Sequence, residues 1–244
     1  MAMLRCGWAV SEPLTTLDDA TASLTLRQAA MRHGAYCWVE QRLFELAGAW
    51  SAGPGLPPSL RVHLFEASAQ HAAHAARWYD RLPVLATMDR GELARPVGPA
   101  LGPLIAHLGR GAPGADGSGA GEAGAGGVVD AEAGLRFVAG LYRVVLPRLL
   151  ESYRRHALRL SPVADEPSRR TVEAVIRAEE VELAEASLLL DGDTGVAAAS
   201  LGSAVRELEM LLQGAVEAPD EDPEAGIGDA GDGLVPWSDA RCAW

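Results

Sequence analysis

The chain has 244 residues, 48% of them hydrophobic but only 5% aromatic, so any core must be filled mainly by Ala, Leu and Val. Thirty-three acids against 21 bases give a formal charge of −12, which argues against a general nucleic-acid binder, because such proteins need a basic footprint to displace counterions. Every one of the 21 bases is Arg, and without Lys there is no lysine Schiff base and no phosphate-loop lysine.

Richness in Ala, Leu, Glu and Arg favours helix over sheet, and the apolar spacing agrees. After an N-terminal extension (1–18), a helix A is expected over about 19–50. Helix B follows over about 58–82, opening after Pro57-Pro58 and stopping before Pro83. The segment 84–108 is less regular, with one short helix near 99–108. A Gly-rich stretch, 109–127, reads as a flexible linker. Helix C is expected over about 130–159, kinked by Pro147. Helix D spans about 167–190, with Pro167 in its first turn, and helix E about 196–213, ending at Gly214. Residues 214–244 carry eight acids against Arg241 and no periodicity, so they read as an acidic disordered tail. Trp237 and Trp244 near its end could dock on a partner or on the body. The expectation is an all-α, antiparallel four-helix bundle over 19–213, with a crossover between helices B and C and an additional C-terminal helix.

Polar residues that fall inside an apolar arc are the informative ones. On helix A, Glu40 sits between Tyr36 and Phe44, with His33 on nearly the same line. On helix D, Glu179 falls at the centre of the arc set by Val172, Val175, Ile176, Leu183, Ala186 and Leu190, and Glu182 on its margin. Two carboxylates one turn apart on a core-facing surface repel, and need an arginine, a shared proton or a cation. On helix B, His63, Glu66, Gln70, His74 and Arg77 form one stripe, either a solvent face or an interior seam, while His71 lies apart. Helix C turns Tyr142, Tyr153 and His156 inward, and its central carboxylate, Glu151, outward.

The stretches HGAYCWVEQRLFELAGAW (33–50), FEASAQHAAHAARWYDRLP (65–83) and DEPSRRTVEAVIRAEEVELAEA (165–186) together resemble the ferritin-like di-iron carboxylate superfamily, with a degenerate ligand set. In that superfamily two helices give one Glu each, and the other two a Glu-x-x-His pair. The resemblance implies Glu40 as the first-helix Glu, His71 as the second-helix His with Ser68 in place of its Glu, and Glu179 as the fourth-helix Glu with Glu182 in place of its His. The third helix has no inward carboxylate. The metal ligands it implies are therefore Glu40, His71, Glu179 and Glu182, with Glu66 and His74 as weaker candidates. Iron or manganese would suit such donors, or no metal if the site is vestigial.

Three functions follow. The first is a metal-dependent oxidase or oxygenase acting on a small metabolite, with Tyr142 behind the ligands. The second is a metal-free helical protein that binds a partner or ligand, its carboxylates paired with Arg, Tyr or His. The third is cofactor-free acid–base catalysis by Glu179 and Glu182. Each single-residue reading competes with a bland one: an inward Glu is often half of an Arg salt bridge, a lone core His is usually hydrogen-bonded packing, and a polar stripe is usually a solvated face. The chain holds no GxGxxG fingerprint, GxSxG elbow, HExxH or CxxC. Cys6, Cys37 and Cys242 are too few and dispersed for a disulfide framework. No apolar run reaches the roughly 18 residues needed to span a bilayer, and the N-terminus lacks the apolar stretch of a signal peptide, so a cytoplasmic protein without a membrane role is expected. The broad apolar surface of helix B suggests a homodimer through helices A and B.

Overall fold

The structure is a computed structural model, and it describes residues 24–53, 55–97, 101–113, 131–191, 202 and 205–211. Every regular element among them is helical. Helix α1 (Leu26–Ala52) starts at Thr25, whose hydroxyl accepts from the Gln28 backbone while the Gln28 side chain accepts from the Thr25 backbone; it ends where Gly53 leaves the helical region. Helix α2 (Pro58–Tyr79) opens on Pro58, whose missing N–H costs nothing in a first turn. It stops three residues short of the expected 82, because Arg81 and Leu82 bond back to Trp78 and Tyr79 in tight turns. The segment that follows holds two short helices rather than one: α3 (Arg90–Leu93), capped by Asp89, and α4 (Leu101–Leu108).

The expected helix C is one rod in three parts. Helix α5 (Ala131–Gly140) runs into a π-helical turn (Leu141–Val145), then into α6 (Leu146–Arg159). Pro147 has no N–H to give to the carbonyl of Arg143, and its ring crowds that carbonyl. The chain widens one turn earlier: the Leu146 N–H bonds to the carbonyl of Leu141, five residues back. Helix α7 (Glu166–Asp191) places Glu166 in its positive first turn. Of the expected helix E, residues 205–211 are helical and the remainder lies outside the described residues, as do the N-terminal extension, most of the linker and the acidic tail.

Side-chain contacts fix the directions of the long helices. His33 stacks on Trp78 at 5.5 Å, Glu40 meets His71, and Arg61 reaches the Ser51 carbonyl, so α2 runs antiparallel to α1. Tyr36 bonds to Ser152 and Trp50 stacks on Phe137 at 5.7 Å, so the α5–α6 rod is also antiparallel to α1. Helix α7 runs against both α2 (Gln70 to Glu182, His74 to Glu179) and the rod (Tyr142 to Glu182, Arg154 to Glu180). Helix α2 and the rod thus point the same way, and the chain between them returns along the length of the molecule. Their inner faces share one core, which includes Val39, Leu43, Trp50, Leu64, Trp78, Val138, Leu146, Tyr153, Val172 and Ala186. At Gly34 a Cβ would lie 1.9 Å from the carbonyl oxygen of Leu93, so only glycine lets α3 close against α1 there. No helix among the described residues is long and apolar enough to cross a membrane.

Candidate metal centre

Midway along this core, where hydrocarbon would be expected, three helices bury polar side chains. Glu40 from α1, His71 and His74 from α2, and Glu179 from α7 each offer one donor atom, and these four atoms lie within 4.8 Å of one another. All four side chains are buried. Ionised groups are stable at such depth only when paired or ligated.

Here they pair crosswise. His71 Nδ1 lies 2.7 Å from Glu40 Oε2, and His74 Nδ1 lies 2.8 Å from Glu179 Oε1. The diagonals are only slightly longer: 3.5 Å from His71 Nδ1 to Glu179 Oε1, and 3.7 Å from His74 Nδ1 to Glu40 Oε2. Burial disfavours ionisation of Glu40, but the imidazoles of His71 and His74 outweigh it and hold its carboxyl down at about 2. Burial likewise pulls both histidines down. The charges of Glu182, Glu179 and Glu40 reverse this for His71, which stands well above its ordinary value. Hydrogen bonds to Glu179 and Glu40 and the charges of those carboxylates lift His74 to about 9. At neutral pH two protons therefore occupy the space between the imidazoles and the carboxylates. Two buried atoms of this cluster are nonetheless left without a hydrogen bond: His71 Nε2 and Glu179 Oε2.

Tyrosines from the rod complete the walls. The Tyr153 phenol donates to Glu40 Oε1, and the Tyr142 phenol donates to Glu182 Oε1 at 3.1 Å. Burial first, and then the neighbouring carboxylates, push both phenols above their ordinary range, so they remain donors. The Gln70 amide donates to Glu182 Oε2 at 2.9 Å. Both oxygens of Glu182 are thus engaged, and its closest approach to His71 is 3.5 Å, from Oε1 to Nε2.

Of the residues singled out from sequence, the structure brings Glu40, His71, His74 and Glu179 into one cluster and sets Glu182 at its edge. Glu66 is exposed on the outer side of α2. The stripe of helix B therefore divides: at 100° per residue, Glu66 lies about 120° from the line of Leu60 and Trp78, and His74 about 40°. His71 and His74, one turn apart, face Glu179 and Glu182, also one turn apart. His74, not Ser68, is the companion of His71. From the sequence, Tyr153 is one of four inward side chains, with Tyr36, Tyr142 and His156, that could hydrogen-bond a buried carboxylate, and it does so with Glu40; Gln70 has no role assigned there. The available signal was the His-x-x-His spacing set opposite Glu-x-x-Glu. Cys37, one turn from Glu40, is buried, and burial and the Glu40 charge push its thiol up to about 11, so it stays protonated.

Comparison with known proteins returns no match to any protein-family model, curated protein or solved structure.

Proposed function

We propose that this chain is a ferritin-like metalloprotein that holds one divalent transition-metal ion on Glu40, His71, His74 and Glu179 and uses it in oxidative chemistry on a small molecule. The observation that carries the reading is a buried set of two imidazoles and two carboxylates with converging donor atoms, in which Glu179 Oε2 is left unpartnered. The ferritin-like assignment draws support from the directions of the four long helices, and from α1 giving one Glu while α2 and α7 give pairs at three-residue spacing.

The donors suit one ion better than two. A di-iron centre of the usual kind takes four carboxylates and two histidines. Here the rod offers Tyr153 instead, and Glu151 faces outward beside Arg155. Mixed imidazole and carboxylate donors suit iron or manganese, which when bound supply one-electron chemistry with dioxygen. The residues have separable tasks. Glu40 and Glu179 balance the ion's charge, and His71 and His74 give up their Nδ1 protons to receive it. Glu182, steadied by Tyr142 and Gln70, stands 3.5 Å from His71 Nε2 without a hydrogen bond to it, and its charge favours the Nε2–H form that leaves Nδ1 for the ion. The apolar walls exclude water from the centre.

Elemental analysis of protein purified without chelators, before and after anaerobic addition of ferrous iron, tests this. One iron or manganese per chain, lost in Glu179→Ala, is the expected result. A second reading, a metal-free helical protein that binds a ligand or partner, is favoured by the crosswise His–Glu pairing, which balances much of the buried charge by itself. Absence of metal in both preparations would establish that reading instead.

A further inference from the structure

The two carboxylates of the cluster are not equivalent. Glu179 has Oε1 against both imidazoles and Oε2 unpartnered, so it can offer one oxygen or two. Glu40 is fully committed: Oε2 faces His71 Nδ1, and Oε1 accepts from the Tyr153 phenol. Tyr153 cannot readily swing away. It is fully buried, with Tyr36 set edge-on at 4.5 Å and Trp78 stacked on it at 5.6 Å. Tyr36 is itself tied to Ser152, the residue before Tyr153 on α6, through both the carbonyl and the hydroxyl.

We propose that Tyr153 is a positioning residue that restricts Glu40 to a single coordinating oxygen and so sets a low coordination number for one ion. The inference rests on the metal reading above. A phenol that occupies Glu40 Oε1 leaves the ion only the oxygen facing the imidazoles, and Tyr153 itself fills the place from which the α5–α6 rod could have delivered a carboxylate. Adaptable coordination is left to Glu179. The site then offers two imidazole nitrogens, one oxygen of Glu40 and one or two of Glu179, a count that suits a four- or five-coordinate ion rather than an octahedral one.

Cobalt(II) reports this directly, because its visible bands weaken as coordination number rises. The full-length chain, loaded with cobalt(II), is compared with Tyr153→Phe, which removes the hydroxyl and keeps the ring, and with Tyr36→Phe, which removes a neighbouring buried hydroxyl that does not touch Glu40. The expected result is one cobalt per chain in all three, with band intensity lower by about twofold or more in Tyr153→Phe only, as Glu40 turns its second oxygen to the ion. A merely structural Tyr153 would alter stability but not the spectrum. Identical spectra, or a folded Tyr153→Phe that binds no cobalt, would overturn the inference and leave the metal reading standing. No cobalt in the wild type would overturn both. If Tyr153→Phe does not fold, the infrared carboxylate bands of the zinc-loaded wild type decide. A widely split pair, characteristic of one-oxygen binding and lost in Glu40→Gln, supports the inference, and its absence refutes it.

Discussion

Two pairs of histidines, both buried, meet opposite electrostatic fates. His71 and His74 lie among carboxylates and hold their protons, whereas His33 and His156 lie among Trp78 and Tyr36, and burial drives them down to about 4 and about 3. The signs of their pH effects differ accordingly. For the chelator-treated protein, the stability supplied by His74 is complete below its unfolded value of about 6.5 and is lost as pH rises through about 9. The stability supplied by Glu40 is complete above its unfolded value and is lost as pH falls through about 2. His33 and His156, neutral when folded, cost stability as pH falls from about 6.5 toward 4, because the unfolded chain takes up the protons. Urea unfolding across pH 4–10 should therefore show an optimum near neutrality, and a profile that rises steadily to pH 10 would contradict this. Neither ring nitrogen of His156 has a partner. His156→Phe should raise stability at pH 5 by about 1–2 kcal/mol, since the change removes two unsatisfied atoms and breaks no hydrogen bond; a loss measured by urea unfolding would reveal an uncounted partner. Much of this was legible at the residue scale. Glu40 and Glu179 fall inside apolar arcs on any helical wheel. The promotion of His74 over Glu66 required knowing which edge of α2 faces α7, and the place of Glu182 at the edge of the cluster, held by Tyr142 and Gln70, required the packing of three helices.

The start of α2 was readable because Pro58 marks it, whereas the expected start of helix A near 19 was too early: Thr25 and Gln28 cap α1 at Leu26. The π-helical turn was not readable, because a proline predicts strain without saying whether a helix will bend or widen. That turn carries Tyr142 to Glu182. The close approach of α3 was also hidden, since its contact with α1 depends on long-range packing at a single glycine. Gly34→Ala must displace the Leu93 carbonyl, and it should cost about 1–3 kcal/mol in thermal or urea unfolding. An unchanged midpoint would show that α3 does not press on α1.

At the scale of the whole molecule, metal binding and folding should be coupled. The cluster draws its donors from three separate helices, so an ion held there ties them together and binds the folded chain alone. Saturating metal should raise the melting temperature by roughly 5–10 °C, and a chelator should reverse it. Uptake at pH 7 should release about two protons per ion, from His71 and His74, measurable in unbuffered titration; metal bound without proton release would place it elsewhere. All-helical character was legible from composition and periodicity. Diffraction from a metal-soaked crystal at the metal's absorption edge tests the central claim most directly. The account predicts one anomalous peak per chain, within bonding distance of Glu40, His71, His74 and Glu179. Two peaks in the core, or none beside these four residues, would contradict it.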